Sequence, residues 1–272
     1  MSDETAANLH LWESWADLHM AGSHYDVEGF IADPGARPFD RITRGVIGDV
    51  TGKRLLHLQC HIGIDTLRMA LSGAVDVTGV DFSPRAIAAA RSIAQRMDVP
   101  ATFVQADVGA LPETVPRDAF DVVFTSYGTI MWLSDLESWA ESIASRLAPG
   151  GVFHIIDAHP FMTVFDDEAA EGPLSVRYPY FGREPLYYEE HGSYADRSAD
   201  LVADSYVWQH PIGEIVGVLA KRGLVVESLR EYPVVAWKAF EFMVEDEDGL
   251  WRLPPEAGDI PLMFALSARR PG

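Results

Sequence analysis

The chain has 272 residues, 48 % of them hydrophobic, and 41 acidic against 21 basic side chains give it a net charge of −20. A chain of this size buries enough surface to fold without a metal or disulfide staple, and its single cysteine, Cys60, excludes an internal disulfide and a cysteine cluster for zinc. The charge repels a phosphate backbone, no apolar run nears the roughly 20 residues of a membrane span, and the acidic start MSDETAANLH is unlike a secretory signal, so a cytoplasmic protein with no nucleic-acid or membrane partner is expected.

In LHLWESWADLHMAGSHYD, Leu9, Trp12, Trp15, Ala16 and Met20 recur at helical spacing and predict an amphipathic helix; His24 and Tyr25 just beyond are candidates for a lid. Residues 39–50 predict a second helix, so residues 1–50 read as an N-terminal helical cap. Leu55, Leu56 and Leu58 form a short apolar run that fits a parallel strand covered on both faces. Gly63 permits a sharp turn, Asp65 and Thr66 suit the capped start of a helix that stops at Gly73, and Val75, Val77 and Val80 predict a second strand ending in Asp81. A carboxylate at that strand tip, about 20 residues after a glycine loop, is placed to take both hydroxyls of an adenosine ribose. Cys60, inside the loop, reads as packing beside a ligand rather than as a nucleophile.

The alternation continues through SPRAIAAARSIAQRM, a helix with Ser83 as N-cap and Pro84 at its first position, and a third strand, ATFVQADV, with Asp107 at its end. FDVVFTSYG predicts the fourth strand, LESWAESIASRLAPGG a helix closed by Pro149 and Gly150, and GVFHIIDAHP the fifth strand. Residues 51–160 therefore predict a parallel sheet with helices on both faces and a ligand at the carboxyl ends of its strands. Residues 161–209 break the rhythm and are crowded with aromatic side chains, among them Tyr194 and Trp208. They read as an inserted lid over an acceptor or, alternatively, as a second small core or a homodimer interface, and ADLVADSYVWQH within them predicts a strand paired inside the insertion. Residues 210–272 complete the sheet with a helix and two strands, LVVESLREY and PLMFALSARR.

Over residues 53–151, and more loosely to its end, the chain resembles the class I S-adenosylmethionine-dependent methyltransferases. The resemblance implies a single α/β domain with a Rossmann-like seven-stranded sheet, the last strand antiparallel beside the sixth. It implies that Asp81 binds the ribose, that Phe82 packs on the adenine, and that Asp107 with Val108 meets the adenine edge. Ser126 and Tyr127 of the SYG motif would lie near the methionine part and the acceptor, and RLAPGG matches the turn before the fifth strand. In the first motif the usual acidic residue is His57 and the first two glycines are Gln59 and His61, so only Gly63 stands; Gln59 and His61 must point elsewhere or contribute side-chain hydrogen bonds. The chain is similar to a bacterial small-molecule subgroup that carries HLQCH here, and Gln59, Cys60, His61 and Gly63 are taken as cofactor residues.

The implied function is transfer of a methyl group from S-adenosylmethionine to a small organic acceptor by in-line displacement. Tyr25, Trp132, Trp208 and His210 are candidate acceptor-pocket residues. His159 is the candidate general base, because a period of two places it on one strand face with Asp157, which would orient it; His24 and His210 are rivals, and a structural histidine before Pro160 is the alternative. A non-catalytic S-adenosylmethionine-binding sensor or scaffold would show the same cofactor motifs. A nicotinamide oxidoreductase would want the fuller glycine loop, and no His and carboxylate cluster at helical ligand spacing speaks for a metal.

Overall fold

The computed structural model describes residues 2–166 and 174–272, so residues 167–173 of the expected insertion lie outside the described residues. Helix α1 (Asp3–Ala21) is capped by Ser2, whose side chain accepts from Thr5 N, and buries Leu11, Trp15 and Ala16 together with two polar side chains, Asn8 and His19. Helix α2 (Val27–Ala32) was not expected. It is six residues long, capped by Asp26, and too short to display a period. Helix α3 (Arg41–Ile47) falls inside the expected segment, capped by Asp40.

The alternating core follows as β1 (Arg54–Leu58), α4 (Ile64–Leu71), β2 (Val75–Asp81), α5 (Pro84–Met97), β3 (Thr102–Gln105), β4 (Phe120–Ser126), α6 (Leu136–Arg146) and β5 (Leu147–Ala158). Two local expectations change. The start of α4 is set by Gly63 with no side-chain cap; Asp65 instead pairs with Arg68 at 2.6 Å, and Thr66 bonds His57 Nδ1 at 2.8 Å. The helix before the fifth strand ends at Arg146, because Leu147 already pairs with Phe120 of β4 and the strand runs on through Pro149 and Gly150.

The chain then forms the hairpin β6 (Leu186–His191) and β7 (Val202–Val207), the helix α7 (Ile212–Lys221), β8 (Val225–Tyr232), a minimal pair β9 (Val244–Glu245) and β10 (Trp251–Arg252), and β11 (Met263–Arg269). The main sheet has seven strands in the order β3-β2-β1-β4-β5-β11-β8, parallel except that β11 runs antiparallel to both β5 and β8. This is the expected α/β architecture. Against one face Trp139 and Ile143 of α6 pack with Val218 and Leu219 of α7; the other face holds Ile42 and Ile47 of α3 with Met69 of α4. Among the described residues no helix is long and apolar enough to cross a membrane.

The insertion has two parts. Met162, Val164 and Phe165 pack with Val235, Phe240 and Leu253 as a second small core, while the β6–β7 hairpin docks on α1. Asn8 makes two hydrogen bonds with the backbone of Tyr206, at 2.7 and 2.8 Å, and Trp15 Nε1 donates to Gly192 O at 2.8 Å. Each such bond adds about 1 kcal/mol, so helix and hairpin form one covering layer.

Candidate active site

The site is built on the turn that leaves β1. Cys60 N bonds Val80 O and Gly63 N bonds Cys60 O, closing a tight loop against β2. Gln59, His61 and Gly63 all have positive φ, at 54°, 49° and 79°. A left-handed backbone suits glycine and costs a residue with a side chain of order 1–3 kcal/mol, so the loop keeps the dihedral demands of a three-glycine turn at two positions that are not glycine. At Gly63 no side chain is tolerated in any case: an added Cβ would lie 2.7 Å from Phe103 and 2.8 Å from Ala90.

The two displaced side chains do what their exclusion from the turn requires. Gln59 Nε2 donates to Thr129 O at 2.8 Å, tying the loop to the segment after β4, and His61 Nε2 lies 2.7 Å from His19 Nδ1 of α1. Gln59 Oε1 and His61 Nδ1 are left buried with no partner. His57, in the place of the usual acidic residue, is buried against Phe124 with its pKa lowered to about 4 by desolvation. Cys60 packs against Gly79 and Phe103, and burial pushes its thiol well up, which fits packing and not nucleophilic chemistry.

Asp81 closes the other side of the turn. Its carboxylate accepts from His61 N at 2.8 Å and from Ser83 N at 2.9 Å, so it fixes the loop and the start of α5 together. Burial raises its pKa to about 6 against the pull of those backbone donors. Phe82 follows, half-buried. Asp107 is exposed beyond β3 and accepts from Gly109 N at 2.8 Å; Val108 is buried in the core beside Leu136 and Trp139, so only its backbone faces outward duty. Asp81, Phe82 and Asp107 thus share the carboxyl ends of β2 and β3.

At the end of β4, Ser126 is buried and Tyr127 turns with φ 29°, its hydroxyl bonded to Asp40 at 2.6 Å and to Thr43 at 2.5 Å on α3. Asp157 of β5 is fully buried. Its oxygens accept from Gly128 N at 2.5 Å, from the Thr129 N–H and hydroxyl and Ile130 N at 2.9 Å, and from Ala158 N at 2.7 Å, pinning residues 128–130.

Asp157 therefore does not orient His159, which corrects the expectation drawn from their shared strand face. His159 Nδ1 accepts from Phe161 N at 3.0 Å, and its Nε2 lies 2.8 Å from Glu231 of β8. Since β8 lies beyond β11 from β5, the imidazole is turned away from β4 and from Ser126–Gly128. Of the acceptor-pocket candidates, Tyr25 and Trp132 join a cluster over the loop: the Trp12 ring lies 5.2 Å from His61 and 5.4 Å from Trp132, and the Tyr25 hydroxyl bonds that of Tyr194. Trp132 Nε1 donates to Gly128 O at 2.7 Å. Trp208 is held by its backbone to Met131 O, while His210 Nε2 donates to Leu133 O at 2.8 Å and lines a separate crevice with Asp135, Glu137 and Glu214. His24 stacks edge-on with Tyr25 at 5.2 Å.

Sequence reasoning missed Glu13, which accepts from Ser83 Oγ and Arg85 N and fastens α1 to the start of α5, and it missed His19. The signal was present: Asn8, Trp12, Trp15 and His19 are spaced by four, three and four, so two polar residues sit on the stripe that the tryptophans define.

Residues 55–151 match the family model described as methyltransferase domain. An uncharacterized methyltransferase of Synechocystis is 34 % identical over 135 residues, which is 44 % of this chain and 59 % of that one. The ubiquinone biosynthesis O-methyltransferase of Photorhabdus laumondii is 35 % identical over 104 residues, 38 % of this chain and 42 % of that one. Ribosomal protein L11 methyltransferases match over a similar length. The chain thus spans less than two thirds of the length of these relatives. A solved S-adenosylmethionine-dependent methyltransferase from Mesorhizobium loti superposes with a TM-score of 0.57 at 20 % identity, over 84 % of this chain and 96 % of that one. Residues 55–151 accordingly match a methyltransferase domain by sequence, within a chain that shares the fold of solved S-adenosylmethionine-dependent methyltransferases.

Proposed function

We propose that the chain binds S-adenosylmethionine at the carboxyl ends of β1, β2 and β4 and transfers its methyl group to a small organic acceptor enclosed by α1 and the β6–β7 hairpin. The observation that carries the reading is the turn at residues 59–63, which keeps left-handed residues at three alternate positions against the buried carboxylate of Asp81. The residues present fit the cofactor. Asp81 has lone pairs left on both oxygens for the ribose hydroxyls, Phe82 and the backbone at Asp107 and Val108 are placed for the adenine, and the unpartnered Gln59 Oε1 offers a polar atom to the methionine part, with His61 Nδ1 beside it. Ser126 and Tyr127 bound the same end of the sheet.

When bound, the cofactor supplies a methyl group already made electrophilic by its sulfonium. The chain's own residues have three tasks. Asp81 and the turn hold and orient; Gln59 and Asp157 fix residues 128–130 beside the turn; and Trp12, Trp132 and Tyr25 shut out water and present flat apolar faces to an acceptor. The net charge of −20 and the narrow aromatic cover favour a small organic acceptor over a nucleic acid. The HLQCH loop, with Gln59 and His61 engaged by their side chains, supports membership of the small-molecule subgroup.

Methyl-labelled S-adenosylmethionine and pools of phenols, amines and carboxylic acids test the reading. Label should appear in a small product with equimolar S-adenosylhomocysteine. Label carried only by added ribosomal protein would overturn the acceptor class, and cofactor binding without transfer to any pool would favour the sensor reading.

A further inference from the structure

A buried and a half-buried imidazole share one hydrogen bond over the turn. His61 Nε2 lies 2.7 Å from His19 Nδ1, and the outer nitrogen of each ring, His61 Nδ1 and His19 Nε2, is buried with no partner. His19 is fully buried. Buried polar atoms are nearly always paired, so an arrangement that leaves an orphan at each end of a bonded pair needs a physical use. With a single proton between the rings, the outer nitrogens are complementary. If His61 Nε2 donates inward, its Nδ1 is a bare acceptor and His19 carries its own proton at Nε2; in the other tautomer both ends reverse.

The surroundings keep the pair uncharged. The rings of Trp12, Trp15, Tyr25 and Tyr194 lie around it, with His24 beyond and Asp81 held on the backbone N–H of His61. Desolvation lowers His19 to about 3, with His24 adding to the shift, and takes His61 well below the usual histidine value. A lone buried histidine in such a place is a poor base, because it must hold a charge that the site disfavours. A bonded pair that takes a proton at one end and yields one at the other does not.

We infer that His61 and His19 form a proton relay for methyl transfer, His61 Nδ1 receiving the proton of a neutral hydroxyl or amine acceptor and His19 Nε2 releasing one on the Tyr194 side. This rests on the proposed function. As the acceptor heteroatom bonds the methyl carbon, the carbon–sulfur bond breaks with its electron pair left on sulfur. The acceptor proton goes to His61 Nδ1, the proton on His61 Nε2 moves to His19 Nδ1, and that on His19 Nε2 passes to water. The Tyr194 ring lies 4.8 Å from that of His19 and is 47 % exposed. His61 is the catalytic residue of the pair and His19 a positioning residue that acts through it.

Nitrogen NMR of the full chain labelled in its histidines reads the tautomers directly, without an acceptor. Between about pH 5 and 8, His19 and His61 should each carry one proton in the same tautomer, both at Nε2 or both at Nδ1, and added S-adenosylhomocysteine should shift the signals of both rings together. His19→Phe, which keeps a flat ring and removes the nitrogens, should release His61 into a mixture of tautomers. A charged ring in that range, unlike tautomers on the two rings, or a ligand-induced shift of His61 that leaves His19 unmoved would overturn the relay. Calorimetry on the same sample separates the two ideas: failure to bind S-adenosylhomocysteine takes down the proposed function and the relay with it, whereas binding with uncoupled rings removes the relay alone.

Discussion

Asp81 and Asp157 are both buried carboxylates, and their partners give them different work. Asp157 spends its oxygens on five donors within the protein, three of them the backbone N–H groups of residues 128–130. Replacing it by asparagine turns an amide N–H toward those donors. Asp157→Asn should therefore lose about 1.5–3 kcal/mol or more of stability, read from urea unfolding, since a charge-assisted bond is lost and a donor is left facing a donor. A loss within about 0.5 kcal/mol would mean that residues 128–130 are held by other contacts. Asp81 accepts from two backbone N–H groups, and burial raises it to about 6. Only the ionised form can give charge-assisted bonds to a ribose. Affinity for S-adenosylhomocysteine should thus be full above that value and fall as pH drops through it, to roughly a tenth at pH 5 of its value at pH 8. Calorimetry at the two pH values checks this; equal affinity would place the ribose elsewhere. The position of Asp81 was legible, because a strand, a turn and a second strand fix where a carboxylate ends up. The partners of His159 were not, because a period of two gives the face of a strand and says nothing of which neighbour, Asp157 or Glu231, reaches the ring.

At the scale of elements, regular alternation made the sheet readable, and irregular segments hid their roles. The strands at residues 54–58, 75–81 and 120–126 and the closing pair β8 and β11 fall where apolar runs place them. Helix α2 escaped because six residues make less than two turns. The start of α4 was misassigned because Gly63 performs the turn that Asp65 and Thr66 were expected to cap. The aromatic insertion could not be resolved from composition, since a small core and a cover draw on the same side chains; in the structure residues near Phe165 lie in a small core and the β6–β7 hairpin packs on α1. If α1 and that hairpin close over the bound cofactor, amide hydrogen exchange in residues 8–21 and 186–207 should slow when S-adenosylhomocysteine is added. Unchanged exchange in both segments would leave the layer a fixed wall and the entry route elsewhere.

For the whole molecule, the sheet order brings the ends of β1, β2 and β4 together, and the residues of the proposed cofactor site are the last residues of strands or lie in the loops at that end. In the turn after β1, Gln59 and His61 accept left-handed backbone and send their side chains to Thr129 and His19. In the proposed function this end of the sheet holds S-adenosylmethionine with Asp81 on its ribose. Calorimetric titration of S-adenosylhomocysteine into the wild-type chain and into folded Asp81→Ala, with NADH as the competing nucleotide, tests it most directly. The wild type should bind, Asp81→Ala should bind about tenfold or more weakly, and NADH should give no heat. Equal affinity in the two proteins, or binding of NADH in place of S-adenosylhomocysteine, would contradict it.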